Sequence, residues 1–313
     1  MHNLREKIMK PNLLTDKKVI ITAAITGGIH GKWANPALPL TAEEQAQSAL
    51  ECYEAGASIV HIHVRGDDGQ NTPDLTYYSK TVKQIGEKCP VIRQIGNGIG
   101  ARVVEHHFTT KSGIKRMTTE IIQPTLEERL NLLNIEPAPE MHTINAGSFE
   151  FRTPYGGDLF QNPQEFNRKY IKRCHKKGFE IEIEVYDSSH ITNVLEFVET
   201  GLLKPPLHFS LVLGIKGGAE ANPANLLHMI DQLPENSTWQ VVTVGKFNLR
   251  TTVMAMCMGG NIRTGLEDTI YYQKGELAQG NAQLVKRMVR IANEIGREVA
   301  TVDEAKKMLG IKN

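Results

Sequence analysis

No stretch of this 313-residue chain approaches the roughly 20 consecutive apolar residues of a membrane-spanning helix, which argues against helical insertion in a bilayer. Charge of one sign is not in excess either. Lys and Arg number 36 against 35 Asp and Glu, so no net field draws nucleic acid or an anionic membrane. Cysteine is scarce: Cys52, Cys89, Cys174 and Cys257 are far apart, form no C-x-x-C pair, and read as small buried hydrophobes rather than a disulfide framework. The polar stretch from Met1 to Lys18 lacks the apolar centre of a secretory signal. Taken together these absences point to a cytoplasmic protein. There is also no P-loop and no G-x-S-x-G elbow, and Gly96-Asn97-Gly98-Ile99-Gly100 lacks the remaining spacing and acidic partner of a dinucleotide fingerprint. Covalent catalysis by Ser or Cys has no support.

What the chain does have is repetition. Hydrophobic residues make up 40% of it, ample for a sizeable core. Apolar strand-like runs recur at 19–25, 59–65, 91–96, 141–147, 180–187, 207–214, 238–245 and 260–267. Amphipathic segments fall between them at 42–55, 75–88, 163–177, 188–200, 223–233 and 247–258, the first opened by a capping box of Thr41 and Glu44. Strand followed by helix, repeated with right-handed crossovers, gives a parallel sheet. Eight repeats predict an α/β fold of the (β/α)8 TIM-barrel type, with helices at 279–296 and 302–309 left over. No composition break divides the chain, so residues 1–17 read as a polar arm and 18–313 as one catalytic domain.

Polar residues interrupt four of these strands with period two. His61 and His63 share a face of the second run, and side chains two apart on a strand lie about 7 Å from each other, close enough to grip one ion. A lone histidine in this setting reads as a satisfied core residue; two in register favour metal or catalysis. Thr143 with Asn145, Glu182 with Glu184, and Arg263 with Gly265 and Glu267 follow the same pattern. Outer faces of barrel strands are covered by helices, so these groups belong on the inner face near the mouth, where barrel enzymes do their chemistry. Two imidazoles and one carboxylate leave an open position on a divalent ion. Glu267 is the favoured third ligand, with Glu182 and Glu184 as competitors. Arg263, beside Glu267 and Asp268, either orients a carboxylate or forms a structural ion pair. The glycine-rich loops at 96–100 and 214–218 permit close backbone approach to an anion.

At this point a family becomes recognisable. Ile21-Thr22-Ala23-Ala24, Asn35-Pro36-Ala37, the run from Ala55 to Arg65, Glu182-Ile183-Glu184-Val185-Tyr186-Asp187, Val212-Leu213-Gly214, the block from Gly259 to Asp268 and Gly296-Arg297-Glu298-Val299-Ala300-Thr301 resemble the β-keto acid cleavage enzymes over about residues 18–310. The resemblance implies Zn²⁺ held by His61, His63 and Glu267, and a Glu–Arg–Asp proton relay in which Arg263 and Asp268 take part. The relay glutamate falls on Glu182 or Glu184, with Glu182 preferred. It also implies condensation of a β-keto acid with acetyl-CoA to give acetoacetate and a new acyl-CoA, Thr143 helping to hold the substrate carboxylate, and a homo-oligomer, tetramer or dimer.

Two departures from the family pattern bear on the substrate. The type member has a Glu after its first strand that recognises the substrate's amino group, and Ile29 stands there in this chain, with His30 beside it as a replacement specificity residue. A substrate without the ammonium group of 3-keto-5-aminohexanoate is expected. Gly96 and Asn97 replace the hydroxyl pair of the family's Ser-Thr-Gly-Gly loop, leaving backbone amides of Gly96 to Gly98, or the Asn97 side chain, to anchor the carboxylate. The atypical segment 101–135, with His106, His107, Lys111, Lys115 and Arg116, reads as a solvated excursion or as a lid carrying positive charge. The rival functions are a metal-dependent retro-aldol lyase that needs no CoA and a metabolite-binding relative without catalysis.

Overall fold

The computed structural model describes residues 17–109, 115–153 and 156–312. Eight parallel strands form a closed barrel: β1 (Ile21–Ala24), β2 (Ile59–Ile62), β3 (Ile92–Ile95), β4 (Met141–Asn145), β5 (Glu180–Val185), β6 (His208–Leu213), β7 (Thr238–Thr243) and β8 (Asn261–Thr264). They pair in chain order, and β8 returns to β1 with Thr22 opposite Arg263. The helices are α1 (Ala42–Glu54), α2 (Leu75–Lys88), α3 (Leu126–Asn131), α4 (Gln164–Lys177), α5 (Ser188–Glu199), α6 (Pro223–Ile230), α7 (Asn248–Cys257), α8 (Asn281–Glu294) and α9 (Val302–Leu309). This is the expected TIM barrel. The arm anticipated at 1–17 lies, apart from Lys17, outside the described residues.

Local chemistry explains the helix starts. Thr41 caps α1 and Thr301 caps α9, each in a reciprocal box with the glutamate three residues on. Asp187 caps α5, and Asn222 caps α6 with Pro223 in its first turn. α1 buries Gln45, Ala46, Ala49 and Cys52, the spacing of one helical face. Among the described residues no helix is long and apolar enough to cross a membrane.

Two features position the site. Ile20, Ile59, Ile92 and Met141 cluster with Ala300, Val302, Ala305 and Leu309, so α9 plugs the end of the barrel where strands begin. Above this apolar floor, the interior is polar: Thr22, His61, Gln94, Thr143, Glu182, Ser210, Gln240 and Arg263 are all buried. Barrel interiors are usually filled by Val, Ile and Leu. A polar middle layer has to be justified by what its members hold, because each unpaired group would carry a desolvation penalty.

Several expectations are corrected. Strands are four to six residues long, because the remaining residues of each apolar run belong to the segments that flank the strand. Segment 101–135 contains an antiparallel hairpin, Arg102–Thr109 against Lys115–Ile122, followed by α3. Further hairpins pair Phe149–Thr153 with Gly156–Phe160 and Tyr271–Gln273 with Glu276–Leu277. The side chains of His106, His107, Lys111, Lys115 and Arg116 lie outside the described residues. Cys52, Cys89 and Cys174 are buried, but Cys257 is exposed at the end of α7.

Candidate active site

His61 occupies β2 and His63 follows its last residue, so alternation turns both rings to the same side. Their Nε2 atoms are 3.1 Å apart, and Oε1 of Glu267 is 3.7 Å from each. Glu267 arrives by a different route from the strand parity expected of it. β8 ends at Thr264, and a tight turn at Gly265 carries Glu267 inward, with its backbone N–H donating to Ala24 O. Gly265 has φ 149°, and a Cβ there would lie 2.0 Å from Ala24 O, so only glycine fits. Gly27 presses on the other side of Glu267: its own Cβ would sit 2.5 Å from Glu267 Cγ.

This donor set fits a divalent cation. Around a tetrahedral ion with bonds of about 2.0–2.2 Å, ligand atoms stand about 3.3–3.6 Å apart, close to the edges found here. Burial, reinforced by Arg263, lowers the His61 pKa to about 4, and burial lowers that of His63, so both rings are neutral with lone pairs to offer. Glu267 Oε2 is buried without a partner. Glu184, Glu267 and Asp268 also gather around the Arg263 guanidinium, three carboxyl groups to one cation in direct contact.

Arg263 organises the wall beside this cluster. Its Nε and Nη2 donate to the two oxygens of Asp268 at 3.1 and 2.9 Å, and Nη2 donates to Glu267 Oε1 at 2.6 Å. Glu184 Oε1 is 3.6 Å from Nη1. Burial pushes the Glu184 carboxyl up to about 7 although Arg263 pulls it down. For Asp268 burial outweighs the guanidinium it shares with Glu267 and raises the carboxyl, whereas for Glu267 burial is overcome by Arg263 and the two imidazoles together and the carboxyl is lowered. Glu182 is placed differently. It is fully buried below the cavity and does not border it, and Ser210, Gln94 and Gln240 donate to its oxygens. Only Glu184 of the two candidate relay glutamates stands beside Arg263 at the cavity.

The loop after β3 is held from beneath. Arg129, on α3, donates from Nε to Asn97 O at 2.9 Å and from Nη2 to Asn97 Oδ1 at 3.1 Å, and also binds Gln161 O and Asn162 Oδ1. Its guanidinium lies between the Phe160 and Phe166 rings, 5.0 and 4.6 Å from their centroids. Every one of these acceptors is neutral, and Arg129 borders the cavity. Asn97 itself is fully buried with Oδ1 engaged by Arg129 and Asn145. Its side chain therefore faces away from the cavity, while Gly96, Gly98 and Thr143 line it. Thr143 Oγ1 accepts from Asn97 N at 3.3 Å.

The two histidines, Glu184, Arg263, Glu267, Asp268, Arg129 and Thr143 open into one cavity of about 1010 Å³ at the carboxyl ends of the strands. Ile29, His30 and Trp33 form part of its wall, the last two rings meeting edge-on at 6.2 Å. Burial keeps His30 neutral, with the nearby Arg65 adding to the effect. Phe149, Tyr186, Val212 and Val242 make an apolar patch opposite. Arg129 and Tyr186 were missed by reading the sequence; Glu128-Arg129 looks like an ordinary helix surface until the fold turns it inward.

A profile of the beta-keto acid cleavage enzymes matches residues 18–311. The chain is 40% identical over 299 residues to a 3-keto-5-aminohexanoate cleavage enzyme of Fusobacterium nucleatum, covering 95% of this chain and 99% of that protein. It is 30% identical to a 3-oxoadipate:acetyl-CoA acetyltransferase of Cupriavidus necator, over 93% of this chain and 94% of the relative. Among solved structures, the ternary complex of ObcA with a C4-CoA adduct and oxalate superposes with a TM-score of 0.68 at 17% identity, covering 88% of this chain and 68% of that one, a likeness of fold.

Proposed function

The chain belongs to the beta-keto acid cleavage enzyme family, and from that premise we propose that it is a metal-dependent enzyme condensing a β-keto acid with acetyl-CoA to release acetoacetate and a new acyl-CoA. The observation that carries this reading is the meeting of His61, His63 and Glu267 with the Glu184–Arg263–Asp268 set on one cavity wall. His61, His63 and Glu267 would hold the cation, Zn²⁺ by family resemblance. When bound, such an ion supplies Lewis acidity to the oxygens of the keto acid.

The remaining chemistry is assigned to the protein's own groups. Thr143 and the backbone amides of Gly96 and Gly98, which line the cavity, receive the substrate carboxylate, with Arg129 adding positive charge behind the loop. Glu184, ionised above about pH 7, takes a proton from the carbon between ketone and carboxylate. Arg263, held by both oxygens of Asp268, faces the enolate charge that develops. The carbanion attacks the acetyl thioester and expels CoA thiolate. That thiolate adds to the original ketone carbonyl, the carbon–carbon bond breaks, and Glu184 returns its proton to the departing acetoacetate. One C–C bond and one thioester are made, and one of each is broken.

Substrate choice follows from the wall near β1. Ile29 and a neutral His30 offer no negative charge to pair an ammonium group, which supports a keto acid whose tail is not cationic. Incubating the metal-loaded protein with a panel of β-keto acids, with and without acetyl-CoA, tests the reading. Acetoacetate formation that requires acetyl-CoA is expected. Keto acid loss independent of CoA would instead identify a retro-aldol lyase, and no turnover of any member a binding protein.

A further inference from the structure

We propose that Glu182 and Gln94 form a positioning relay that fixes the tautomer of His61, leaving its Nε2 bare to face the cation. The inference deepens the functional reading and rests on His61 as a metal ligand. It starts from a carboxylate in an improbable place: Glu182 has no exposure at all, in the middle layer of a barrel where aliphatic residues would cost far less to bury.

Glu182 is surrounded by donors. Ser210 Oγ donates to Oε1 at 2.6 Å, and the side-chain amides of Gln94 and Gln240 donate to Oε2 at 2.8 and 3.0 Å. Gln240 is set the same way round from its far end, because Thr22 Oγ1 donates to its Oε1 at 3.1 Å. An ionised carboxylate only accepts. Turning the Gln94 amide over would place its oxygen 2.8 Å from a carboxylate oxygen, two acceptors in contact, so the amide has one tolerable orientation.

That orientation dictates the next link. Gln94 sits directly opposite His61 across the β2–β3 pairing, and its Oε1 is 2.7 Å from His61 Nδ1. An oxygen there can only accept, so the ring must carry its proton on Nδ1, and in a neutral ring Nε2 then holds a free lone pair. This is the nitrogen that faces His63 and Glu267. Ser210, Gln240 and Thr22 extend the same one-way pattern to three more strands. Glu182 acts through Gln94 and touches no reacting atom, which separates its role from that of Glu184.

The test exchanges donor and acceptor along the relay and reads two quantities. The His61 tautomer is followed by long-range ¹⁵N–¹H NMR of ¹⁵N-histidine-labelled, metal-free protein, with His61→Gln for assignment. Zn²⁺ affinity is measured by chelator competition. Wild type should show Nδ1–H. Glu182→Gln should move the ring toward Nε2–H and weaken Zn²⁺ binding by about 10- to 100-fold, as loss of an orienting partner does elsewhere. The swap Q94E/E182Q should restore both, since the carboxylate at position 94 accepts from the ring and from the amide at position 182. An unchanged tautomer with wild-type affinity in E182Q overturns the relay, as does a folded swap that restores neither. If E182Q does not fold, Gln94→Met removes the acceptor facing the ring together with the donor to Glu182, and a purely Nδ1–H ring in that variant is equally fatal. Failure of the metal reading would look different: an Nδ1–H ring that responds to E182Q in a protein that binds no Zn²⁺.

Discussion

Replacing Glu184 by Gln removes the proton acceptor while keeping its size, and it separates chemistry from metal binding. The carboxylate lies 3.6 Å from Arg263 Nη1 and accepts from Tyr186 OH at 3.0 Å, and it is not one of the three groups that converge as a ligand set. A positioned general base contributes about 10²- to 10⁴-fold, which at about 1.4 kcal/mol per decade is a barrier increase of roughly 3–5.5 kcal/mol. Exchange of the α-protons of the keto acid into deuterated water, without acetyl-CoA, isolates this step. With the carboxyl raised to about 7 by burial, the base is protonated at low pH. The exchange rate of wild type should therefore rise through pH 7 and level off above pH 8, and E184Q should lose both the rate and that limb. Bound Zn²⁺ should stay equal in the two proteins. Exchange in E184Q within threefold of wild type, or an unaltered pH limb, would refute the assignment.

Other perturbations probe separate parts of the site. Gly27→Ala places a methyl group where Glu267 Cγ now lies at 2.5 Å, on a backbone with φ 68°; isothermal titration should show Zn²⁺ affinity reduced at least tenfold, with retained far-UV circular dichroism. Arg129→Met removes the charge behind the strand-three loop, and since hydrogen bonds to charged groups are worth about 1.5–3 kcal/mol, steady-state kinetics should show KM for the keto acid rising about 10- to 100-fold, partly recovered by Arg129→Lys. Ile29→Glu introduces an anion on the cavity wall, and the ratio of kcat/KM for an amino-substituted β-keto acid over a neutral one should rise at least about threefold, the worth of a partly exposed ion pair.

Much of this site was legible because strand alternation is rigid. Once Ile59 to Val64 reads as a strand in a barrel, His61 and His63 must share a face, and the same logic brings Glu184 and Arg263 to the mouth. Glu267 was found for a reason that does not hold in detail: a turn at Gly265, rather than strand parity, delivers it. Glu182 and Glu184 were inseparable by parity, since both point inward; depth along the strand, visible only in three dimensions, puts one in the floor and the other at the cavity. Arg129 lay hidden because its inward role depends on contacts with Asn97, Gln161 and Asn162, some thirty residues away in either direction. The hairpins beside the mouth escaped because their strands carry no uniform apolar face, and period alone does not mark a ribbon that stands outside the core.

The most direct test of the whole account is anomalous diffraction from crystals of the protein loaded with Zn²⁺. A single strong peak is expected at about 2.0–2.2 Å from His61 Nε2, His63 Nε2 and a carboxylate oxygen of Glu267. No peak there after loading, or an ion bound by other side chains while the two imidazoles remain turned to each other, would contradict it.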